Sequence, residues 1–204
     1  MSKRILVLGI GNVLWADEGF GPRCVEALVA RYHLPEGVVA MDGGTQGLLL
    51  VDPIQRARRV LIFDAIDYGL VPGTLRLIPQ EQISQVMAAR KMSLHQATMQ
   101  DVLACVQLLG GGPEDIALIG MQPVELEDYG GSLSAPVRAQ LDAALALAEQ
   151  VLAGWGHPLR AREALADPDA VIAPALRLDA YEAGRPSAEE ACRIGDGRVL
   201  ARSA

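Results

Sequence analysis

Lysine, cysteine and histidine are scarce in this chain, and long apolar runs are missing. Lys3 and Lys91 are its only lysines, and 18 basic residues stand against 25 acidic ones for a formal net charge of −7. That balance, with a pI near 5.0, excludes an electrostatic grip on nucleic acid or on an acidic membrane surface. The preference for arginine over lysine follows genome composition and carries no functional weight. Cys24, Cys105 and Cys192 are scattered and form no CxxC pair, so neither a zinc knuckle nor a thioredoxin-type couple is expected. No apolar stretch reaches the roughly 18 residues that a membrane span needs. The start, Met1-Ser2-Lys3-Arg4-Ile5, runs straight into apolar residues and turn glycines, unlike a signal or transit peptide. There is no internal repeat. What remains is a cytoplasmic α/β enzyme or binding protein, and 204 residues are ample for one buried core.

Apolar runs and helical stripes alternate along the first three quarters of the chain. Ile5-Leu6-Val7-Leu8, Val60-Leu61-Ile62-Phe63 and Ile116-Ala117-Leu118-Ile119 suit strands buried on both faces. Val38-Val39-Ala40-Met41 is a weaker run of the same kind. Between them Phe20, Cys24, Val25, Leu28, Val29 and Tyr32 recur at helical spacing, as do Met99, Val102, Leu103, Val106 and Leu109, and then Leu133 through Leu152. Cys24 and Cys105 fall on these apolar faces, where a free thiol acts as a small hydrophobe. The pattern predicts βαβ units in a three-layer α/β fold, a mostly parallel sheet with helices on both faces. Thr74–Ile78 follows Val60–Phe63 after only about ten residues, too few for a helical crossover, which predicts an antiparallel strand. Residues 1–154 read as the core. Residues 155–204, rich in Pro, Arg and acids, read as an extension that is mobile unless it docks, with a short helix around Ala188–Cys192.

Ligands of such sheets bind where strands end and loops lead into helices. The first of these loops is GIGNVLWADEGFG, Gly9 to Gly21. Gly9-Ile10-Gly11 hints at a dinucleotide fingerprint, with Asp42 where a ribose-binding acid would be. However, the third glycine of GxGxxG falls on Leu14, and helical periodicity starts only near Glu18. Asp17-Glu18 suits the first turn of a helix, where acids complement the macrodipole. Asp64 ends the most apolar strand. In Ser93-Leu94-His95-Gln96 a capping box sets His95 at the second helical position, beside the positive end of the dipole, where a neutral imidazole is favoured. His33 and His157 do not recommend themselves. Glu18, Asp64 and His95 thus come from three loops at one sheet edge. Two carboxylates and an imidazole suit a divalent first-row metal with open positions for water or substrate. No HExxH pair is present, which favours a transient metal over a resident zinc.

The segments GIGNVLWADEGFG (9–21), MDGGTQG (41–47), LIFDAIDYGLVPGTLR (61–76), KMSLHQ (91–96) and ELEDYGGSLS (125–134) occur together and in order. With them the chain resembles the maturation endopeptidases of nickel–iron hydrogenases, most closely the branch that serves membrane-bound uptake hydrogenases. The resemblance implies a five-stranded sheet with helices on both faces. It also implies an endopeptidase that trims the C-terminus of a hydrogenase large-subunit precursor already loaded with nickel. The nickel comes with the precursor and is not permanently bound. Glu18, Asp64 and His95 are implied as its ligands and as the catalytic set. Apart from the resemblance, Gly43 and Gly44, with Thr45, are expected to let the backbone approach an extended substrate peptide. A plain turn is the competing reading of those glycines. The family is at times labelled aspartic-type, and that label is carried here as an expectation, although Asp42-Gly43-Gly44-Thr45 is not the Asp-Thr/Ser-Gly signature. Further expectations are a monomer in the cytoplasm that holds no nucleic acid and no membrane. The alternative function is a non-catalytic nickel-sensing chaperone of the large subunit.

Overall fold

A computed structural model describes residues 4–83 and 96–186. In it the apolar runs become β1 (Arg4–Ile10), β3 (Val38–Gly44), β4 (Ala57–Ala65) and β6 (Asp115–Met121), and the alternating segment becomes β5 (Leu75–Pro79). They form one sheet in the order β3-β1-β4-β6-β5. β1 is parallel to β3 and β4, and β4 to β6, while β5 runs antiparallel along β6. The mostly parallel five-stranded sheet with one antiparallel strand is the expected fold.

Strand alternation divides the core between two faces. Ile5 and Val7 of β1, with Leu61 and Phe63 of β4, pack under α1 (Phe20–Arg31) and α5 (Leu141–Gly154). Leu6, Leu8 and Ile10, with Val60 and Ile62, pack against α2 (Val51–Arg56) and α3 (Gln96–Leu108). Both faces are covered, so these strands need no polar alternation. Burial holds the Cys24 thiol, fully enclosed on α1, well above its ordinary value, and Cys105 is half-buried.

The stripe from Leu133 to Leu152 is broken into α4 (Ala135–Arg138) and α5. Ser134 stands at the N-cap of α4, but its side chain makes no cap bond; it is used elsewhere, as described below. The helix around Ala188–Cys192 and the Ser93–Gln96 capping box fall on residues 187–204 and 84–95, outside the described residues, although Gln96 opens α3.

The segment after Gly154 does not hang free in its described part. Its β7 (Arg160–Ala161) pairs antiparallel with β2 (Tyr32–His33), and Leu159 and Ile172 are buried. Arg162 Nε donates to the carbonyls of Val29 and Tyr32 at 3.2 and 3.1 Å, placing a cation at the C-terminal end of α1 where the helix dipole favours one. Farther on, α6 (Leu178–Ala183) is held by Glu26: its Oε1 accepts the Leu178 N–H at 2.8 Å, and its Oε2 pairs with Arg23 Nη1 at 2.8 Å. The Arg23 and Glu26 side chains are only 2% and 12% exposed. Glu26→Gln keeps an acceptor for Leu178 and removes the charge facing Arg23. It is expected to lower stability by about 2 kcal/mol, read as a lower urea midpoint at unchanged m-value. An unchanged midpoint would show that the pair does not hold the segment.

Candidate active site

In the sheet order β1 is flanked by β3 on one side and β4 on the other, so the carboxyl ends of β1 and β4 lie side by side, where ligands of such sheets bind. Glu18 and Asp64 stand at those two strand ends. Glu18 lies in the 3₁₀ turn Ala16–Gly19 that follows β1, and Asp64 is the penultimate residue of β4. Asp64 is 6% exposed. By alternation with Val60 and Ile62 its side chain belongs to the face covered by α2 and α3, the helix that His95 precedes in sequence. The structure thus brings Glu18 and Asp64 to one edge; His95 lies outside the described residues. Among the described residues no group of three or more His, Cys, Asp or Glu side chains is placed to hold a metal ion.

Two glycines let the loop close this tightly. Gly11 has φ +131°, and a Cβ there would lie 1.8 Å from the Glu18 carbonyl oxygen. Gly21, the second residue of α1, lies so close to the sheet that a Cβ would meet the Ile10 and Phe63 carbonyl oxygens at 2.2 and 2.5 Å. The space between the ends of β1 and β4, where a dinucleotide would lay its pyrophosphate, is therefore packed with the chain's own backbone. α1 begins at Phe20, nine residues beyond the start that a dinucleotide site requires, and that reading is set aside.

Asp17, the neighbour of Glu18, does something the sequence does not reveal. It is fully buried and makes no cap within its own turn. Its Oδ2 accepts the N–H groups of Val124 and Glu125 at 2.9 and 3.0 Å and the Ser134 hydroxyl at 2.9 Å, and its Oδ1 accepts the Ser134 N–H at 2.7 Å. A charged acceptor surrounded by four donors is a strong, shape-specific arrangement. It locks the loop after β1 to the loop 122–134 after β6. The Asp17 N–H donates back to the Glu125 carbonyl at 3.1 Å and the Gly130 N–H to the Leu14 carbonyl at 2.8 Å, while Trp15 and Tyr129 meet edge to face at 5.2 Å. A signal was present in the sequence, since ELEDYGGSLS is one of the family segments, but nothing local ties it to Asp17.

The loop after β4 has a similar organiser in Gln122, 5% exposed. Its Oε1 accepts the Tyr68 and Leu70 N–H groups at 2.7 and 3.1 Å, and its Nε2 donates to Asp67 Oδ1 at 3.0 Å. At the end of β3, Asp42 bends back onto its own loop, where its Oδ1 accepts the Gly44 N–H at 2.8 Å. Burial pushes the Asp42 carboxyl above its ordinary value, against the opposing pull of that N–H and of nearby Arg23. Gly43 is buried, and a Cβ on it would meet Leu8 and Ile10 side-chain carbons at 2.8 and 2.9 Å, so packing on β1 already accounts for this glycine. Thr45 is exposed.

A doubly wound sheet with Glu18 in the turn after β1 and Asp64 near the end of β4 defines an α/β protein with two acids at one edge of the sheet. Comparison with known proteins gives the family. The hydrogenase maturation protease family, HycI, matches residues 22–151. The hydrogenase expression/formation protein HoxM of Azotobacter vinelandii is 54% identical over 200 residues, covering 98% of this chain and 95% of its own. HoxM of Cupriavidus necator is 52% identical over 197 residues, covering 96% and 98%. Among solved structures, the hydrogenase maturating endopeptidase HybD of Escherichia coli superposes with a TM-score of 0.73 at 36% identity, covering 78% of this chain and 98% of its own. The chain belongs to the hydrogenase maturation protease family and is a peptidase. The aspartic-type label is corrected by this result: the matching family is one of hydrogenase maturation proteases. Two of the aspartates are in any case committed locally, Asp17 to the loop 122–134 and Asp42 to its own turn.

Proposed function

We propose that the protein removes the C-terminal extension from a nickel-loaded large-subunit precursor of a nickel–iron hydrogenase, in the cytoplasm and as a monomer. The observation that carries this reading is the placement of Glu18 after β1 and of Asp64 near the end of the neighbouring β4, in a chain of this family. His95 completes the ligand set. Two carboxylates and an imidazole engage the open coordination positions of the precursor's nickel, so the scissile bond is held only when the metal is present. The nickel belongs to the substrate. It supplies Lewis acidity for the attack of water on the peptide carbonyl, while Glu18, Asp64 and His95 bind and orient. The backbone of Gly43, Gly44 and Thr45 lies along the same edge, at the end of β3, and is proposed to accept the extended peptide.

The test is incubation of the purified protein with nickel-loaded and with metal-free precursor, followed by the mass of the precursor. Loss of a C-terminal peptide from the loaded form alone is the expected result. Equal cleavage of both forms would remove nickel recognition from the proposal. Binding of the loaded precursor without any change of mass would favour the non-catalytic chaperone instead.

A further inference from the structure

Many contacts hold the segment after Gly154 to the core, and one group of them reaches the loop tied to the candidate site. Arg162 anchors it at the C-terminal end of α1, and Glu26, in the middle of that helix, holds Leu178. Past these anchors, the carboxylate of Glu182 on α6 accepts the Ser132 hydroxyl at 2.6 Å and pairs with Arg138. The Tyr181 hydroxyl donates to the Gly131 carbonyl at 3.2 Å, and its ring lies 5.5 Å from the Arg23 guanidinium. Ser132 and Gly131 belong to the loop whose Ser134, two residues on, gives both its N–H and its hydroxyl to Asp17. Asp17 is covalently next to Glu18.

We infer that the C-terminal segment is a positioning strap for the site loop: Glu182 holds the Ser132–Ser134 stretch, which holds Asp17 and so sets where Glu18 stands. The segment is also tied to α1 by Arg162 and Glu26; Glu182 and Tyr181 add ties to Ser132 and Gly131 of the site loop, beside their contacts with Arg138 of α4 and Arg23 of α1. The family fold also closes without a segment of this length, because HybD is spanned to 98% by 78% of this chain. The HoxM relative, covered to 95% by 98% of this chain, has length for it. The strap is therefore an addition to a self-sufficient fold. Glu182 is a positioning residue and touches no substrate.

The inference rests on the proposed function for its activity readout and on the structure alone for its second readout. Full-length Glu182→Ala and Glu182→Gln are compared with wild type by amide hydrogen exchange and by steady-state processing of nickel-loaded precursor. In Glu182→Ala, exchange at Val124, Glu125, Gly130 and Ser134 is expected to speed up about tenfold while amides of β1, β4 and β6 keep their rates. KM should rise about fivefold with kcat nearly unchanged, because Glu18 serves binding. Glu182→Gln retains an acceptor for the Ser132 hydroxyl and should restore both. Unchanged loop exchange in Glu182→Ala, faster exchange spread over the sheet, or no rescue by Gln would each overturn the strap. If the wild-type protein does not process precursor, the endopeptidase reading falls and the exchange data decide the strap by themselves.

Discussion

Glu18→Gln and Asp64→Asn should each slow processing of nickel-loaded precursor by about 100-fold or more while leaving the unfolding midpoint close to wild type. Each exchange keeps the shape of the side chain and one carbonyl oxygen, and each removes a negative charge that the nickel would draw on. Asp64 sits at the end of a strand whose preceding residues, Val60 to Phe63, are buried, so the framework that holds it is untouched by the loss of charge. Glu18 rests on backbone, its N–H donating to the Trp15 carbonyl at 2.9 Å, and that bond survives in Gln. His95→Gln belongs in the same series. The measurement is the initial rate of peptide release by mass spectrometry, with circular dichroism melts in parallel. Wild-type rates in all three variants would remove these residues from the site.

Asp17→Ala is expected to do the reverse, striking the fold first. It strips one carboxylate from three backbone N–H groups and a hydroxyl in a fully buried position. Each stranded donor costs about 1–3 kcal/mol in the interior. Partial relaxation and the geometric coupling of the four reduce the sum, giving about 4 kcal/mol, or roughly 10 °C of Tm for a chain of this size. Activity falls as well, since the loop that carries Glu18 loses its tie to residues 124–134. Adjacent carboxylates, identical in charge and one residue apart, thus separate into one whose loss is read in a melt and one whose loss is read in an assay. A melt of Asp17→Ala within about 2 °C of wild type would contradict the network.

This pair also shows what the sequence makes legible and what it hides. Strands buried on both faces write themselves as continuous apolar runs, and the stripe Phe20, Cys24, Val25, Leu28 announces α1; both signals are local and periodic. Asp64 stands out because an acid ending such a run is conspicuous. Asp17 reads as a helix-cap acid because every partner of its side chain lies more than 100 residues away, and a contact across that distance leaves no mark on local periodicity. Arg23 and Glu26 were hidden for the same reason: on a helix read alone they belong to the solvated side, and only the returning C-terminal segment buries them. The break between α4 and α5, at Ala139 and Gln140, has no glycine or proline to announce it. Short α2 carries Pro53 in its first turn and shows too few residues for a period.

The two anchors of the strap on α1 carry one more consequence. Ala166 donates its N–H to the Ala30 carbonyl near one end of the helix, and the Leu176 carbonyl accepts from Arg23 near the other. Those helix positions are about 10 Å apart along the axis, whereas the chain between the anchors could reach about 33 Å if drawn out. The surplus is taken up in the turn where Val171 and Ile172 donate to the Pro168 carbonyl and Ile172 tucks into the core. The middle of the span is held as well, by buried Pro168 and Ile172 and by the pairing of Arg177 with Asp167 and Asp169, so the extra length is folded against the core, and a deletion within residues 167–173 is expected to pull on both ends.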